Sequence, residues 1–373
     1  MVVNQGKDKI RLLVLTIFCV IGISGYLLTL TPVPRIGSRR MDSEKETNMS
    51  TNNVAKPSAS LVLDGSRLDG RVVLVEYSGG DQITVKEVVK DAAFFNGAAS
   101  GDFIYRSRNN KWLLGNVRKP ESIANIASVP EGVTYAALSP DRKMMLWCIE
   151  KGNNSSLVSF HLETGERHNL VSANGLIRAP SWSPKSNGVA YYRGRPDVLM
   201  TGGFTLELVT IAGSKNQTRQ LASASHPTGI TAERTQPPRW SPDGTRILFI
   251  GNYESNDLIK AYAYVVRTDG TGQKRVEGGV WSADGAQLLI VKRKQLPFGP
   301  LVLAIFNPST GASSEINLPF DLPMSIGNGR WKPDAQMFAF ITDENEVHLI
   351  DVSKQRKLKL LDFAQGANLI WLE

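Results

Sequence analysis

A ten-residue motif that recurs five times constrains the fold more than any other feature of this chain. Its clearest copy runs from Trp240 to Phe249 and reads Trp-Ser-Pro-Asp-Gly followed by an apolar stretch. The copies begin at Leu138, Trp182, Trp240, Trp281 and Trp331, so their starts are 44, 58, 41 and 50 residues apart. A period of about 40 to 50 residues that contains several short strands is typical of the blades of a β-propeller.

The motif has the chemistry of a tight turn between two strands. Proline presets φ, aspartate bonds to nearby backbone and glycine accepts a positive φ. The run after the turn, such as Arg246 to Ile250, predicts a strand. A second hairpin follows at a steady offset, with Thr164-Gly165, Asp269-Gly270 and Thr310-Gly311 at its turns. Each repeat is therefore predicted to form a four-stranded antiparallel sheet.

Two weaker repeats precede the five clear ones and bring the expected number of blades to seven, with six as the alternative. Phe95 to Tyr105 begins a repeat 43 residues before Leu138 and lacks the Trp-Ser-Pro turn. Arg71–Tyr77 and Ile83–Val89 supply strands without a clear first strand. Leu369–Trp371 stands where the next first strand is due, so we expect it to complete the first sheet, close the ring and remove the exposed edges.

These repeats resemble the WD40-like repeats in the propeller of the TolB family, the periplasmic component of the Tol–Pal envelope system. The resemblance covers about residues 71 to 371. It implies an all-β fold with a single propeller and an extracytoplasmic role in binding or scaffolding. The same repeat type occurs in bacterial surface propellers and before the hydrolase domain of prolyl-oligopeptidase-like enzymes.

The N-terminal region predicts attachment to a membrane. Leu12 to Thr31 is a stretch of twenty uncharged residues, long enough as a helix to span about 30 Å of bilayer. We interpret it as a transmembrane signal anchor after a short tail (residues 1–11), although a cleaved signal peptide remains the alternative. Residues 32–60 are polar and predict a flexible linker, followed by the propeller over 61–373. The body is expected outside the cytoplasm, in the periplasm or at the cell surface.

Composition argues against several classes of function. Half of the net charge of +8 lies in the first sixty residues, so the body lacks the dense basic character expected of a nucleic-acid-binding protein. Two cysteines and four histidines show no metal-ligand spacing, and no nucleotide or hydrolase motif is present. We therefore expect no cofactor, no metal, no nucleic acid and no catalytic residue, and a monomeric propeller that binds envelope proteins.

Long loops predict where binding takes place. The first and third turns of the repeats are tight, whereas Arg193–Gly203, Ser223–Pro238 and Lys292–Pro300 are long. Second turns and blade-to-blade crossovers share one end of a propeller, which we call the second-turn face. Long loops on a rigid scaffold often form binding sites. The candidate binding residues on this face are Arg193, Arg195, His226, Arg234, Tyr253, Lys292 and Arg293.

Two classes of function remain open. The preferred one is a membrane-anchored, extracytoplasmic propeller that binds or scaffolds proteins of the cell envelope. The alternative is a propeller-type enzyme, such as a lyase, lactonase or glycosidase, with its site in the central funnel. Carboxylates or histidines that converge on the channel would favour the enzyme, whereas glycine, serine and apolar residues would favour the scaffold.

Overall fold

In the computed structural model of the chain, the described residues are 59–64, 70–78, 82–126, 129–194, 204–212, 215–223, 237–255, 258–276, 278–294, 299–323, 328–342, 344–362 and 368–372. The predicted tail, the anchor over Leu12–Thr31 and the linker up to residue 58 lie outside them. Within these ranges no helix has the length and apolar character needed to cross a membrane.

The described residues form seven four-stranded antiparallel sheets, which are the blades of a propeller. Blade 1 contains β28 (Asn368–Trp371), β1 (Ala59–Asp64), β2 (Val72–Tyr77) and β3 (Ile83–Val89). Blade 2 contains β4 (Ala92–Gly97), β5 (Asp102–Ser107), β6 (Trp112–Asn116) and β7 (Lys119–Asn125). Blade 3 contains β8 (Val133–Leu138), β9 (Met144–Lys151), β10 (Asn154–His161) and β11 (Arg167–Asn174).

The remaining four blades follow in chain order. Blade 4 contains β12 (Leu176–Trp182), β13 (Gly188–Gly194), β14 (Phe204–Ala212) and β15 (Lys215–Ser223). Blade 5 contains β16 (Arg239–Trp240), β17 (Arg246–Ser255), β18 (Leu258–Arg267) and β19 (Lys274–Val276). Blade 6 contains β20 (Val280–Trp281), β21 (Leu288–Arg293), β22 (Leu301–Phe306) and β23 (Ser313–Glu315). Blade 7 contains β24 (Asn328–Trp331), β25 (Met337–Ile341), β26 (Val347–Asp351) and β27 (Arg356–Leu361).

The first strand named in each blade lies nearest the centre of the ring. Strands β8 and β12, β16 and β20, and β24 and β28 contact each other across blade boundaries, as inner strands of neighbouring blades do. The prediction of seven blades is confirmed, and the six-blade alternative is wrong.

The C-terminal strand closes the ring as predicted. β28 pairs with β1 in antiparallel register, with Trp371 opposite Leu61 and Leu369 opposite Leu63. The amide of Leu372 also donates to the carbonyl of Ser60 at 2.9 Å. One strand from the end of the chain and three from its beginning therefore share a sheet.

The first turn of the Trp240 repeat is held by its own side chains. Ser241 Oγ donates to Asp243 Oδ1 at 2.6 Å and accepts from the amide of Arg246 at 2.9 Å, while the amide of Thr245 donates to Asp243 at 3.0 Å. Gly244 has a φ of 74°. The equivalent residues in three other repeats are Arg142, Ser186 and Ala335, whose φ angles are 61°, 56° and 61°. Glycine is therefore not obligatory there, because the side-chain bonds stabilise the turn in its absence.

In five blades (1, 4, 5, 6 and 7) a tryptophan joins the blade to the one before it. Trp240 Nε1 donates to the carbonyl of Ser181 at 3.1 Å, and Trp281 Nε1 donates to that of Arg239 at 2.9 Å. Further bonds of this kind are Trp182 to Ala137 (3.3 Å), Trp371 to Arg330 (3.0 Å) and, on the second strand, Trp331 to Ile290 (3.3 Å). The motif therefore forms a turn within its own blade and a hydrogen bond to the neighbouring blade.

Apolar side chains are buried between neighbouring blades rather than within one centre. In β17, Ile247 and Phe249 pack with blade 4, whereas Leu248 and Ile250 pack with blade 6. Clusters of this kind occupy all seven blade interfaces among the described residues. The period-2 alternation of a strand explains this pattern, because both faces of every blade are covered.

Candidate functional site

The strands that flank the long loops of the sequence analysis have their connected ends on one side of the ring. The segments 195–203 and 294–300 join the second and third strands of blades 4 and 6, and 224–238 is the crossover from blade 4 to blade 5. In an antiparallel four-stranded blade these connections lie at the same end. The residues 195–203, 224–236 and 295–298 themselves are outside the described residues.

The candidate binding residues that the structure describes make contacts inside their own blades. Arg193 Nη1 lies 3.6 Å from Glu207 Oε1. Lys292 Nζ lies 3.3 Å from Glu315 Oε1 and 3.1 Å from Ser313 Oγ. Arg293 donates to the carbonyl of Gly299 at 3.0 Å.

The structure does not bring these candidates together into one described cluster. Arg193 belongs to blade 4, whereas Lys292 and Arg293 belong to blade 6. The backbone of Tyr253 pairs with Lys260 in blade 5. Arg195, His226 and Arg234 are outside the described residues. Binding by this set stays a prediction.

A cavity of about 330 Å³ lies where the inner strands of blades 5, 6 and 7 meet the channel. Its walls include Phe249, Ile250, Val280, Val291 and Trp331. The backbone of Gly278, Gly279 and Gly329 contributes as well, and Arg239 and Arg330 complete the polar part. The volume falls in the range of sites that bind small molecules.

This cavity exists because two inner strands are short. β16 and β20 contain two residues each, whereas β12 contains seven. Ile250 and Val291 therefore continue the second strands of their blades beyond the last inner-strand partner, toward the second-turn face. Before β16 and β20 the chain continues without strand pairing, and Pro237, Gly278 and Gly279 line the cavity together with side chains of the second strands.

Two arginines enter the cavity from blades on either side of blade 6. Arg239 donates a hydrogen bond to the carbonyl of Gly279, and Arg330 donates to that of Gly329 at 3.1 Å. Burial, followed by the positive charge of Arg330, lowers the pKa of Arg239 to about 9. Burial also lowers the pKa of Arg330. Two guanidiniums that are partly desolvated and near each other form a site that favours an anion.

A second cavity, of about 390 Å³, is lined by Tyr135, Glu150 and Arg178 and shares Pro237 with the first. Arg178 forms an ion pair with Glu150, and Thr134 Oγ1 donates to the same carboxylate oxygen at 2.8 Å. Asn96 Nδ2 donates to Tyr135 Oη at 2.9 Å. The carboxylate in this part of the channel is thus already neutralised by a fixed partner.

No group of three or more histidine, cysteine or acidic side chains with metal-binding geometry occurs in the described part of the chain. The cavity between blades 5, 6 and 7 offers two guanidiniums and an apolar wall. The free thiol of Cys148 is buried, and burial raises its pKa to about 12. It is a packed core side chain and not an activated nucleophile.

The arginine pair was missed in the sequence analysis, although a signal for it exists. Arg239 and Arg330 each directly precede the tryptophan of a repeat. The other tryptophans of the series are preceded by Ser181, Val280 and Ile370. Since this position lies on the inner strand, a charged residue there is expected to reach the channel.

Comparison with known proteins supports the fold. No protein-family model matches the chain, and no curated protein matches its sequence. Among solved structures, TolB from Acinetobacter baumannii is 18% identical, with coverage of 81% of this chain and 79% of that one and a TM-score of 0.45.

Two enzymes are also similar in structure. An oligogalacturonate lyase in complex with manganese is 12% identical, with coverage of 82% and 91% and a TM-score of 0.54. A Mycobacterium tuberculosis puromycin-hydrolysing peptidase is 14% identical over 83% of this chain, with a TM-score of 0.53. The match covers 53% of that peptidase, so this chain spans about half of its length. At these identities the likeness of the lyase and the peptidase concerns the fold alone.

Proposed function

We propose that this chain is a membrane-anchored, extracytoplasmic propeller that binds protein partners of the cell envelope and is not an enzyme. The observation that carries the proposal is the arginine-lined cavity in the channel, on the side of the second-turn face. Cations and apolar walls on a rigid ring suit recognition of a partner group. The anchor rests on the uncharged stretch Leu12–Thr31.

The chemistry of the second cavity favours binding over catalysis. Its acid, Glu150, is held by Arg178, and burial raises the pKa of Tyr135 to about 12. Proton transfer near neutral pH requires a group whose pKa lies close to that pH. The hydroxyl of Tyr135 does not meet that condition, and Glu150 is already held in an ion pair with Arg178.

Crosslinking in intact cells, followed by mass spectrometry of captured proteins, tests the proposal. The double variant Arg195→Glu/Arg234→Glu changes charge on two long loops, and we expect it to lose the captured partner. The matched control is Lys143→Glu/Lys185→Glu, because both lysines are exposed on the first turns at the opposite end of the ring. The control is expected to keep the partner.

Two results would contradict the proposal. One is a partner profile that is unchanged in the loop variant. The other is release of product from oligogalacturonate by the purified chain, which would favour the enzyme alternative. Protease added to intact spheroplasts tests the location separately, since an extracytoplasmic body is cleaved without lysis.

A further inference from the structure

The cavity between blades 5, 6 and 7 combines two features that rarely occur together by packing alone. One is a pair of half-buried guanidiniums on different blades, Arg239 and Arg330. The other is an apolar wall that includes Ile250, Val291 and Trp331. A site with both features matches a ligand that has an anionic end and a hydrocarbon body.

Burial disfavours the charged form of both arginines. Burial removes water from both guanidiniums, and Arg330 acts on Arg239 as a like charge. An anion between them would offset both effects with charge-assisted hydrogen bonds.

The position of the pair also requires the closed ring. Arg239 and Arg330 belong to inner strands that flank blade 6, and the carbonyl of Arg330 accepts the indole bond of Trp371 from the closing strand. The carbonyl of Arg239 accepts the corresponding bond from Trp281. The indole bonds hold the backbone of both arginines, so the positions of their Cα atoms are fixed.

We propose that this cavity binds a carboxylate attached to an apolar body, with the carboxylate between Arg239 and Arg330 and the body against the wall near Trp331. This inference rests on the proposed binding function and specifies the chemistry that the channel accepts. A carboxylate offers two oxygens, one for each guanidinium. Inorganic phosphate, in contrast, has no apolar part to cover the wall near Trp331.

Binding is measured by calorimetry and by the change in the tryptophan fluorescence of the protein. The probes are 4-phenylbutyrate and its neutral amide, 4-phenylbutyramide. A second pair is a tetrapeptide that ends in phenylalanine with a free carboxylate and the same peptide with an amidated end. We expect each acid to bind at least about tenfold more tightly than its amide, because only the acid forms charge-assisted bonds.

The two probe pairs distinguish the sources of the carboxylate. Binding of 4-phenylbutyrate alone indicates a free small acid, and binding of the peptide acid indicates the C-terminus of a chain. Either result supports the site. Equal affinity for acid and amide in both pairs, or tighter binding of inorganic phosphate than of 4-phenylbutyrate, would overturn it.

The variant Arg330→Met tests the pair directly. It retains the backbone carbonyl that Trp371 uses, so the ring is expected to stay closed. We expect loss of at least about tenfold in affinity for the acid, no change for the amide, and a melting temperature equal to or above that of the unaltered chain. Arg239→Gln provides a second variant if Arg330→Met does not fold.

The matched control is Arg178→Gln, which removes an arginine from the neighbouring cavity of the same channel. It is expected to leave the affinity for 4-phenylbutyrate unchanged. An equal loss in Arg178→Gln and Arg330→Met would show a general effect of channel charge and would overturn the assigned site. Failure of all probes to bind would overturn the assigned site and would leave the loop-variant crosslinking result intact, so the two proposals fail separately.

Discussion

At the scale of single residues, Gly279 determines whether blade 6 can form its short inner strand beside the cavity. A Cβ atom at this position would collide with the carbonyl oxygen of Leu289 and lie 2.9 Å from Ile290 Cγ2. At the neighbouring Gly278, the nearest atom to a Cβ would be the Cβ of Ala263 at 3.8 Å, which is an ordinary contact. A side chain is therefore excluded at Gly279 and sterically accepted at the adjacent Gly278.

We predict that Gly279→Ala lowers the free energy of unfolding by about 1–3 kcal/mol, because the added methyl group forces the backbone of β21 to move. Gly278→Ala should change it by less than about 1 kcal/mol. Denaturant unfolding of both variants checks this difference. Similar losses in the two variants would show that the close approach at Gly279 does not control the inner strand.

At the scale of elements, the first turns connect neighbouring blades as well as strands within a blade. The amide of Asp141 donates to Ser186 Oγ at 3.1 Å, and that of Ala283 donates to the carbonyl of Pro333 at 2.8 Å. Ionised aspartates hold these turns. Burial by itself raises the pKa of Asp243. The hydrogen bonds from Ser241 and Thr245 outweigh this effect and lower the pKa to about 2.

This pKa makes the turn sensitive to acid. The carboxyl of Asp243 binds a proton more readily in the unfolded chain, where its pKa has the ordinary value of 3.8, than in the folded one. Its contribution to stability is therefore complete above about pH 4 and is lost as the pH falls toward 2. We predict that, between about pH 4 and pH 2, the free energy of unfolding falls less in Asp243→Asn than in the unaltered chain.

Urea unfolding at several pH values between 5 and 2 measures the slope of the free energy of unfolding against pH. Glu163→Gln is the control, because it removes an exposed carboxyl from the third turn of blade 3. A slope in Asp243→Asn that equals the slope of the control would contradict the assigned role of the turn.

At the scale of the whole molecule, stability depends on closure by a strand from the other end of the chain. Leu369, Trp371 and Leu372 are buried in the interfaces of blade 1 with its two neighbours. Without β28, the strand β1 would expose an unpaired edge toward the channel. Inter-blade packing alone would then hold blade 1.

We predict that deletion of residues 368–373 lowers the free energy of unfolding by at least about 5 kcal/mol, given the apolar surface it exposes. Trp371→Phe keeps the strand and loses the indole bond to Arg330, so a loss of about 1–2 kcal/mol is expected. Thermal unfolding and limited proteolysis within β1 measure the effects. A deletion variant as stable as Trp371→Phe would contradict closure by this strand.

Much of the fold was predictable because the information is local and repeated. The Ser-Pro-Asp-Gly turn, the strand after it and the second hairpin each depend on neighbours along the chain, and the period counts the blades. Even the closing role of Leu369–Trp371 followed from the period, since an unmatched first strand was due there. The seven-bladed ring, with four antiparallel strands in each blade, is therefore a consequence of sequence.

The candidate site was predictable only in part. The motif placed the long loops at one end of the ring, yet Arg193 and Lys292 form ion pairs within their own blades. The cavity depends on the shortness of β16 and β20 and on the missing side chain of Gly279, and its two arginines come from blades that are not consecutive. Such convergence arises only when the ring closes, because closure brings inner strands from separate repeats around one channel.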